Sequence, residues 1–440
     1  MAPLRHGLGT LAFLCASAGL TLPMQAHAQT AAPAAAAASQ PAGPPVRAEF
    51  GKPLQEAIAL LNAGKPKEGL AKLDEVAAVP DLTPYETMLL ERNRGAMAIR
   101  LGDNALAIKS LEAAIATGFV TIPDEVTLAE VLVSFSFRDK DYPRVLKWSQ
   151  RYIDLKGTND SVRVVRIQAL VSTGDERGAL TALQERLAAA EKAGTAMPEA
   201  QLRLLYNLQQ RTKDAGAPKT LERLATTYPR TEYWSDLVVA ASSGVGDNDR
   251  ALAELYRLLR SAGALTSAEL RFGLADTALR VGQPTEALVV LDEGYAAGVL
   301  GTGAQAAAHQ KAREQARKQS AADVADRPAA ETAARRAADG SALVQLGWSM
   351  VAALPTGAAP ALAEPGLALI EQGVAKGSLK RPAEAQLHLG MAQLAAGRKD
   401  AARLTLAALA KTDGAKEGLA EPIRLWSMWA AAPALLPKAN

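Results

Sequence analysis

The feature that most constrains this chain is a short pattern that recurs at intervals of 34–38 residues. In the segment GDNALAIKSLEAAI, Gly102 is followed five residues later by the small Ala107 and nine residues later by the large Leu111. Equivalent segments start at four further glycines: Gly174, Gly246, Gly282 and Gly397. Weaker copies turn at 64, at 140 and near 212. A period held over seven consecutive turns predicts an array of structural repeats.

Elementary helix physics accounts for the residue types in this pattern. Glycine ends a helix in a left-handed conformation at little cost, so each glycine marks a turn between two helices. A small residue lets two helices approach closely, and a large apolar residue four positions later lies on the same helix face and fills the neighbouring groove. Hydrophobic residues make up 49% of the chain but aromatics only 4%, and the apolar share is carried by the helix formers Ala and Leu. The sequence therefore predicts an all-α protein.

The pattern resembles the tetratricopeptide repeat (TPR) family, whose motif has a small residue in its first helix, a turn glycine and an alanine in its second helix. The matching positions fall into three sets: Gly95, Gly102 and Ala107; Ala275, Gly282 and Ala287; and Gly390, Gly397 and Ala402. The resemblance covers roughly residues 53–430 and implies a right-handed superhelical solenoid of antiparallel helix hairpins. The C-terminal half, in stretches such as EALVVLDEGYAAGVLGTGA, also resembles exported repeat proteins of Gram-negative bacteria.

The first 28 residues have the layout of a secretory signal peptide. Arg5 precedes an apolar run from Leu8 to Leu22, which is shorter than a membrane-spanning helix requires, and Ala26-His27-Ala28 supplies a cleavage pattern. We expect cleavage after Ala28 and a mature chain in the periplasm, with association at the outer membrane as an alternative. The only cysteine, Cys15, would be removed with this segment.

The remaining chain is predicted to fall into four parts. Residues 29–50 are rich in Ala and Pro and are expected to be a disordered linker, and residues 51–303 to be the TPR-like array. Residues 304–339 have few large apolar residues and predict a degenerate, loosely packed hairpin that turns near Arg327 and Pro328. Residues 340–432 predict further hairpins, an elongated turn at 355–365 and a capping helix in which Trp426 and Trp429 cover the last apolar face.

The sequence shows no pattern that predicts catalysis. It contains neither a G-x-S-x-G nor a phosphate-binding G-x-x-x-x-G-K-[ST] motif. The two histidines beyond the signal peptide, His309 and His388, lie in different repeats, and no His, Asp or Glu cluster has metal-ligand spacing. We therefore expect no enzyme activity, no cofactor and no metal. The net charge of +3 also argues against a nucleic-acid partner.

The TPR resemblance implies that a groove lined by first-helix side chains binds a protein or peptide. Carrying that face onto this sequence predicts ten groove residues: Arg92, Arg100, Glu130, Arg138, Gln168, Tyr206, Gln209, Phe272, Asp276 and Arg280. The leading hypothesis is a periplasmic interaction scaffold with envelope partners, in an envelope assembly or a polysaccharide-export machine. A self-associating structural protein and an enzyme with its site at 355–365 remain as alternatives, and the partner and the oligomeric state stay open.

Overall fold

The computed structural model describes residues 44–412 and 417–436, so the predicted signal peptide, Cys15 and most of the predicted linker lie outside the described residues. Within the described ranges the chain forms twenty α-helices and one short 3-10 helix, and no strand. The first fourteen α-helices are α1 Ala48–Asn62, α2 Pro66–Ala77, α3 Pro84–Leu101, α4 Asn104–Ala116, α5 Ile122–Arg138, α6 Tyr142–Asp154, α7 Asp160–Ser172, α8 Glu176–Lys192, α9 Glu199–Thr212, α10 Ala217–Thr227, α11 Thr231–Val245, α12 Asp249–Ser261, α13 Ala268–Arg280 and α14 Pro284–Ala296. The remaining six are α15 Ala306–Arg336, α16 Ser341–Ala352, α17 Glu364–Lys376, α18 Pro382–Ala395, α19 Lys399–Leu409 and α20 Ala420–Ala431, with the 3-10 helix at Pro360–Ala363.

Consecutive helices pair as antiparallel hairpins, so the predicted solenoid of helix hairpins is confirmed. The turns fall where the period placed them. Gly64, Gly102, Gly174, Gly282 and Gly397 all have φ between 74° and 78°, the left-handed region in which glycine ends a helix without strain. In the two repeats that lack a turn glycine, lysines take its place, at Lys140 with φ 58° and at Lys213 with φ 55°.

In two hairpins the small residue of the first helix packs directly on the large residue of the second helix. Ala107 is fully buried and Leu111 nearly so. A Cβ atom placed on Gly95 of α3 would lie only 2.6 Å from Leu111 Cδ2, and one on Gly390 would lie 2.5 Å from Leu406 Cγ. The first helix therefore keeps a glycine at this position because the leucine of the second helix packs directly on its backbone.

The described chain divides into two compact units, with the boundary between Thr121 and Ile122. The predicted array of 51–303 thus spans both units. The first unit contains α1–α4 around a core that includes Phe50, Leu54 and Met97. Because α1 begins at Ala48 and Phe50 is fully buried, the last residues of the predicted linker belong to this helix.

A buried carboxylate ties the two hairpins of the first unit together. Glu86 forms a capping box with Thr83 at the start of α3, and its Oε2 accepts a 2.8 Å bond from Nη2 of Arg47, which precedes α1. The side-chain hydrogen bond from Arg47, aided by backbone N–H donors and opposed by burial, lowers the pKa of Glu86 to about 2. The carboxylate is therefore charged over the whole physiological range.

The second unit departs from the prediction at α15. We predicted a degenerate hairpin that turns near Arg327 and Pro328, but this segment is one continuous helix of 31 residues with Pro328 inside it. The proline removes a single backbone donor, and the flanking Ala-rich sequence has a high enough helix propensity to continue through it. The first half of α15 is also not loosely packed, because its buried side chains recur at three- and four-residue intervals at His309, Ala312 and Ala316.

The C-terminal helix also packs differently from the prediction. Instead of only covering a terminal face, α20 lies against α10, α11 and α12. The rings of Trp429 and Trp234 meet edge to face with centroids 5.0 Å apart, and Trp426 Nε1 donates a 3.0 Å hydrogen bond to the Glu254 carbonyl oxygen, 172 positions away in the sequence. An ion pair of 2.6 Å between Arg424 and Glu222 lies beside them. The repeats of the second unit therefore curve until its end contacts its middle.

Candidate functional site

The second unit also contains a cavity of about 740 Å³. Its walls come from α12, the turn before α14, the second half of α15, α16 and the first half of α18. The inner wall carries a set of polar and aromatic side chains that belong to four helices: Glu254, Arg257, Glu286, Trp348 and His388, of which all but Glu286 line this cavity.

A buried ion network forms the base of this wall. Arg257 Nη1 donates to Glu254 Oε1 at 2.6 Å, while its Nε and Nη2 donate to the two oxygens of Glu286 at 2.9 and 2.6 Å. All three side chains are at most 6% exposed. Burial alone would raise the pKa of Glu254, but Arg257 and His388 outweigh it and hold that pKa below its usual range. Desolvation opposes the charge of Arg257, yet the two carboxylates raise its pKa. Glu254 and Arg257 are therefore both charged in the folded protein.

An imidazole and an indole extend the network toward the cavity. His388 Nε2 lies 2.9 Å from Glu254 Oε1, and the His388 ring stacks on Trp348 with centroids 4.0 Å apart and planes inclined by 6°. The Arg257 guanidinium lies 5.1 Å from the centre of the same indole. Since each of these groups except Glu286 contacts at least two others, the side chains hold one another in fixed orientations.

Two polar atoms of this wall have no hydrogen-bond partner among the described residues. They are Glu254 Oε2 and Trp348 Nε1, and both are inaccessible at the atomic level. One is an acceptor with a negative charge and the other is a donor. Unsatisfied buried groups of this kind are uncommon in native structures and need an explanation. Because neither atom is accessible to solvent, both are enclosed within the wall and neither is open to the cavity.

The outer rim of the cavity carries charges of both signs. Arg250 forms a 2.9 Å ion pair with Glu384, which Arg381 also approaches at 3.4 Å. Asp326 and Arg327 of α15 and further charged side chains lie around the opening. Because these exposed charges roughly balance, the rim selects neither simple anions nor simple cations, and the inner wall carries the distinctive chemistry.

The predicted groove residues lie elsewhere, and none of the ten lines the cavity. Five are exposed on helix surfaces: Arg92, Arg100, Arg138, Gln168 and Arg280. Two of these arginines interact with nearby side chains. Arg138 lies over the ring of Phe135, and Arg280 forms ion pairs with Asp276 and Asp249.

The other predicted groove side chains contact parts of the chain itself. Glu130 accepts a 2.5 Å bond from Asn159, and Tyr206 accepts one of 2.7 Å from Gln210. Gln209 is buried and donates to Asp214 at 3.3 Å, and Phe272 packs on the His309 ring at 4.8 Å. Phe272 and Gln209 therefore already serve packing within the second unit.

Sequence reasoning missed the cavity because its residues look ordinary in their local context. Glu254 and Arg257 are three apart on a helix with the motif, and Glu286 lies just before the motif residue Ala287. His388 was the only local signal, since it stands two residues before Gly390 in a first helix. The insertion at 355–365 does not line this cavity, nor does it line a smaller cavity of about 370 Å³ that lies beside Trp426 and Trp429. Thr356, at the start of the insertion, donates hydrogen bonds to Glu293 through its N–H and its hydroxyl.

The described residues contain neither a candidate metal site nor a helix that could span a membrane. No cluster of three His, Cys, Asp or Glu side chains is placed to hold a metal ion in 44–412 or 417–436. Across the same ranges, every helix is too short or too polar to cross a bilayer.

Solved structures with a similar arrangement of helices include two that share little sequence with this chain. Neither a protein-family model nor a curated protein sequence matches the chain. Among solved structures, one of Naa15/Naa10 bound to HypK-THB is similar over 87% of this chain and 63% of that chain, with 15% identity and a TM-score of 0.36. The TPR domain of P58(IPK) is similar over 86% of this chain and 98% of that one, with 14% identity and a TM-score of 0.20. This chain thus covers less than two thirds of the first neighbour, and similarity at this level concerns architecture alone.

Proposed function

We propose that this chain is an exported scaffold that binds a protein or peptide partner of the cell envelope through first-helix faces of its hairpin array. The observation that carries the proposal is that the two helices of a hairpin differ in which side chains they bury. The second helices bury the Ala and Leu of the repeat motif, as Ala107 and Leu183 show, whereas first helices keep large side chains at the surface. Stacked repeats need the buried residues of the second helices for stability, and the surface side chains of the first helices are available to a partner.

The best-defined binding surface in the first unit runs along α3. Tyr85, Leu89, Arg92, Ala96 and Ile99 recur at alternating intervals of four and three residues, so they form one stripe on the helix, and all are at least partly exposed. An apolar stripe flanked by arginine is the type of surface that receives an amphipathic partner segment.

The two ends of this stripe carry features common in binding surfaces. At its start Tyr85 packs edge to face on Phe119, which is itself 42% exposed. At its end Ile99 is 39% exposed, and the neighbouring Arg100 has no ion-pair partner among the described residues. Aromatic and arginine side chains are enriched among the residues that dominate binding energy. Arg100 is therefore the residue best suited to test the proposal.

Export to the periplasm is the second half of the proposal, and the signal-peptide layout of residues 1–28 supports it. A periplasmic scaffold would meet partners of an envelope assembly or of a polysaccharide-export machine. Fractionation of cells that express the full chain tests the location: the processed protein should be released with periplasmic markers. Retention of the unprocessed chain in the cytoplasm would contradict this half of the proposal.

A charge-reversal pair tests the binding surface. Arg100→Glu on α3 and Lys109→Glu on α4 make the same change of charge at exposed positions of the first unit, but only the first changes a residue next to the α3 stripe. After crosslinking in periplasmic extract, partners captured by the wild type and by Lys109→Glu should be lost with Arg100→Glu. Equal capture by both variants would remove the α3 surface from the proposal, and no specific capture by any form would remove the scaffold function itself.

A further inference from the structure

The smaller cavity of the second unit has the properties of a binding site for a small molecule. Side chains of α12, α16, α18 and α20 form most of its walls. Its volume of about 370 Å³ lies within the usual range of ligand pockets, which is about 300–1,000 Å³. Three of its lining residues, Ser261, Ala395 and Lys399, are exposed, so the cavity opens to solvent beside them.

Indole rings define one half of the ligand. The chain has five tryptophans, and three of them line this cavity together with three other large apolar side chains: Trp348, Trp426, Trp429, Val351, Met391 and Leu394. Trp429 is only partly buried, and its edge-to-face contact with Trp234 holds its ring in place at the cavity. Aromatic rings contact one another favourably in offset-stacked and edge-to-face arrangements. The lining therefore favours an aromatic ring over other apolar groups.

The charged side chains of the lining define the other half. Arg257 and Glu286 bond to each other through two N–H donors at 2.9 and 2.6 Å, and Arg260 pairs with Glu293 at 3.0 Å. The fourth charged residue of the lining, Lys399, is exposed and has no ion-pair partner within 44–412 or 417–436. The ammonium of Lys399 is thus the uncompensated charge at the opening, and it attracts an anionic group.

The positions of these charges set the orientation of the ligand. The Glu286 side chain is 1% exposed with both oxygens bonded to Arg257, whereas Lys399 lies at the opening. A charge buried beside Glu286 would lose its hydration, while a charge beside Lys399 stays partly hydrated. The ring therefore lies inside and the anion at the opening. At about 30 Å³ for each water-sized group, the cavity takes roughly a dozen non-hydrogen atoms, the size of one ring with a short acid chain.

We propose that this smaller cavity binds a small aromatic carboxylate. The ring of the ligand lies against Trp429 and Leu394, and its carboxylate pairs with the ammonium of Lys399. A single ammonium matches a single negative charge, which favours a carboxylate over a doubly charged phosphate. This inference does not depend on the scaffold function, since the α3 surface lies in the other unit.

Titration calorimetry on the full chain tests the chemistry with four probes of similar size. Hydrocinnamate has both the ring and the anion, hydrocinnamamide lacks the charge, phenylpropylamine has a cation instead, and cyclohexylpropanoate lacks the aromatic ring. We expect hydrocinnamate to bind most tightly, the amide and the cyclohexyl acid roughly threefold more weakly, and the amine more weakly still. The proposal is overturned if hydrocinnamate does not bind, or if the amide or the amine binds as tightly. Equal binding of the cyclohexyl acid would overturn the assignment of an aromatic ligand.

Two matched pairs of variants locate the binding. Ala395 and Ala375 are both exposed near the C-terminal ends of their helices, α18 and α17, but only Ala395 lines the smaller cavity. Ala395→Trp should therefore abolish binding, and Ala375→Trp should leave it unchanged. Lys399→Gln and Lys411→Gln remove the same charge from exposed positions, but only Lys399 lines the cavity. Hydrocinnamate and its amide should therefore bind equally to Lys399→Gln, while Lys411→Gln should keep the preference for the acid.

Thermal melting checks that each variant is folded. Equal binding by the two tryptophan variants would refute the assignment of the site. A preference for the acid that survives in Lys399→Gln would refute the role of the lysine.

Discussion

Replacing Gly347 by alanine should destabilise the contact between α16 and α17. These two helices cross with their backbones in contact at two levels, where Gly340 faces Gly373 and Gly347 faces Gly366. A Cβ atom on Gly347 would lie 2.4 Å from the carbonyl oxygen of Gly366, whereas ordinary contacts begin at 3.4 Å. The obstacle is backbone rather than a flexible side chain, so rotation of a neighbour cannot relieve the overlap.

The magnitude follows from two opposing terms. The added Cβ atom forces the two helices apart. Such overpacking costs about 3 kcal/mol when the structure cannot adjust locally. Alanine gains back about 1 kcal/mol over glycine from its helix propensity. The net loss is therefore about 2 kcal/mol, which corresponds to a fall in melting temperature of roughly 3 °C in a unit of about 300 residues, at about 2.1 cal/mol/K of unfolding entropy per residue.

Gly244 provides the matched control, because it is also inside a helix, α11, but a Cβ atom there would meet nothing within 4 Å. Gly244→Ala should raise stability by about 0.5–1 kcal/mol through helix propensity alone. Thermal melting followed by circular dichroism measures both variants, and hydrogen exchange of α16 and α17 reports the local change. The packing argument fails if Gly347→Ala melts at or above the wild-type temperature with unchanged exchange in these helices.

Four further predictions follow from the same structure. The pKa of Glu86 is about 2 in the folded state, against 4.5 for the free side chain, so the stability that its carboxylate gives to the first unit is complete above about pH 5 and disappears as the pH falls toward 2. In Glu86→Gln, acid unfolding of the first unit, followed by amide exchange in α1–α3, should no longer show this pH dependence. Arg257→Met leaves two buried carboxylates without their cation and should cost about 3–5 kcal/mol; because burial then raises the pKa of those carboxylates, urea denaturation should show the variant to be more damaged at pH 8 than at pH 5. Trp429→Ala removes an aromatic contact between α20 and α11, so amide exchange should accelerate in α20, while unchanged exchange would show that the closure does not depend on that ring. N-terminal sequencing of the exported protein should show that cleavage follows Ala28, and a first residue elsewhere would refute the assigned site.

Most of the fold could be predicted because its signals are local. A turn glycine, an alanine five residues later and a leucine four residues after that all act within one hairpin, and the left-handed φ of Gly102 and the burial of Ala107 and Leu111 confirm each step. Where the local signals were weak, as around Pro328, the prediction of a hairpin was wrong because low apolar content was mistaken for a turn. In that segment the helix propensity of the Ala-rich sequence outweighs the helix-breaking effect of Pro328.

The candidate site was not predictable in the same way. The ten predicted groove residues were chosen by their place on a first helix, and the structure leaves five of them exposed while others, such as Phe272, pack within their own unit. Whether a helix face stays open depends on which distant helix covers it. Phe272 is covered by His309 of α15, and no periodicity within α13 indicates that contact.

The amino-acid sequence by itself determined the helices, the positions of their turns and the close packing within each hairpin, because these depend on interactions between residues fewer than about forty positions apart. Only the tertiary structure decided that the second unit closes on itself and places His388 against Glu254, which are 134 positions apart. Small rotations between successive hairpins add up along an array, and their sum sets which distant faces meet. A buried carboxylate, a guanidinium, an imidazole and an indole thus come together around one cavity, although each looks like an ordinary helix residue in its own repeat.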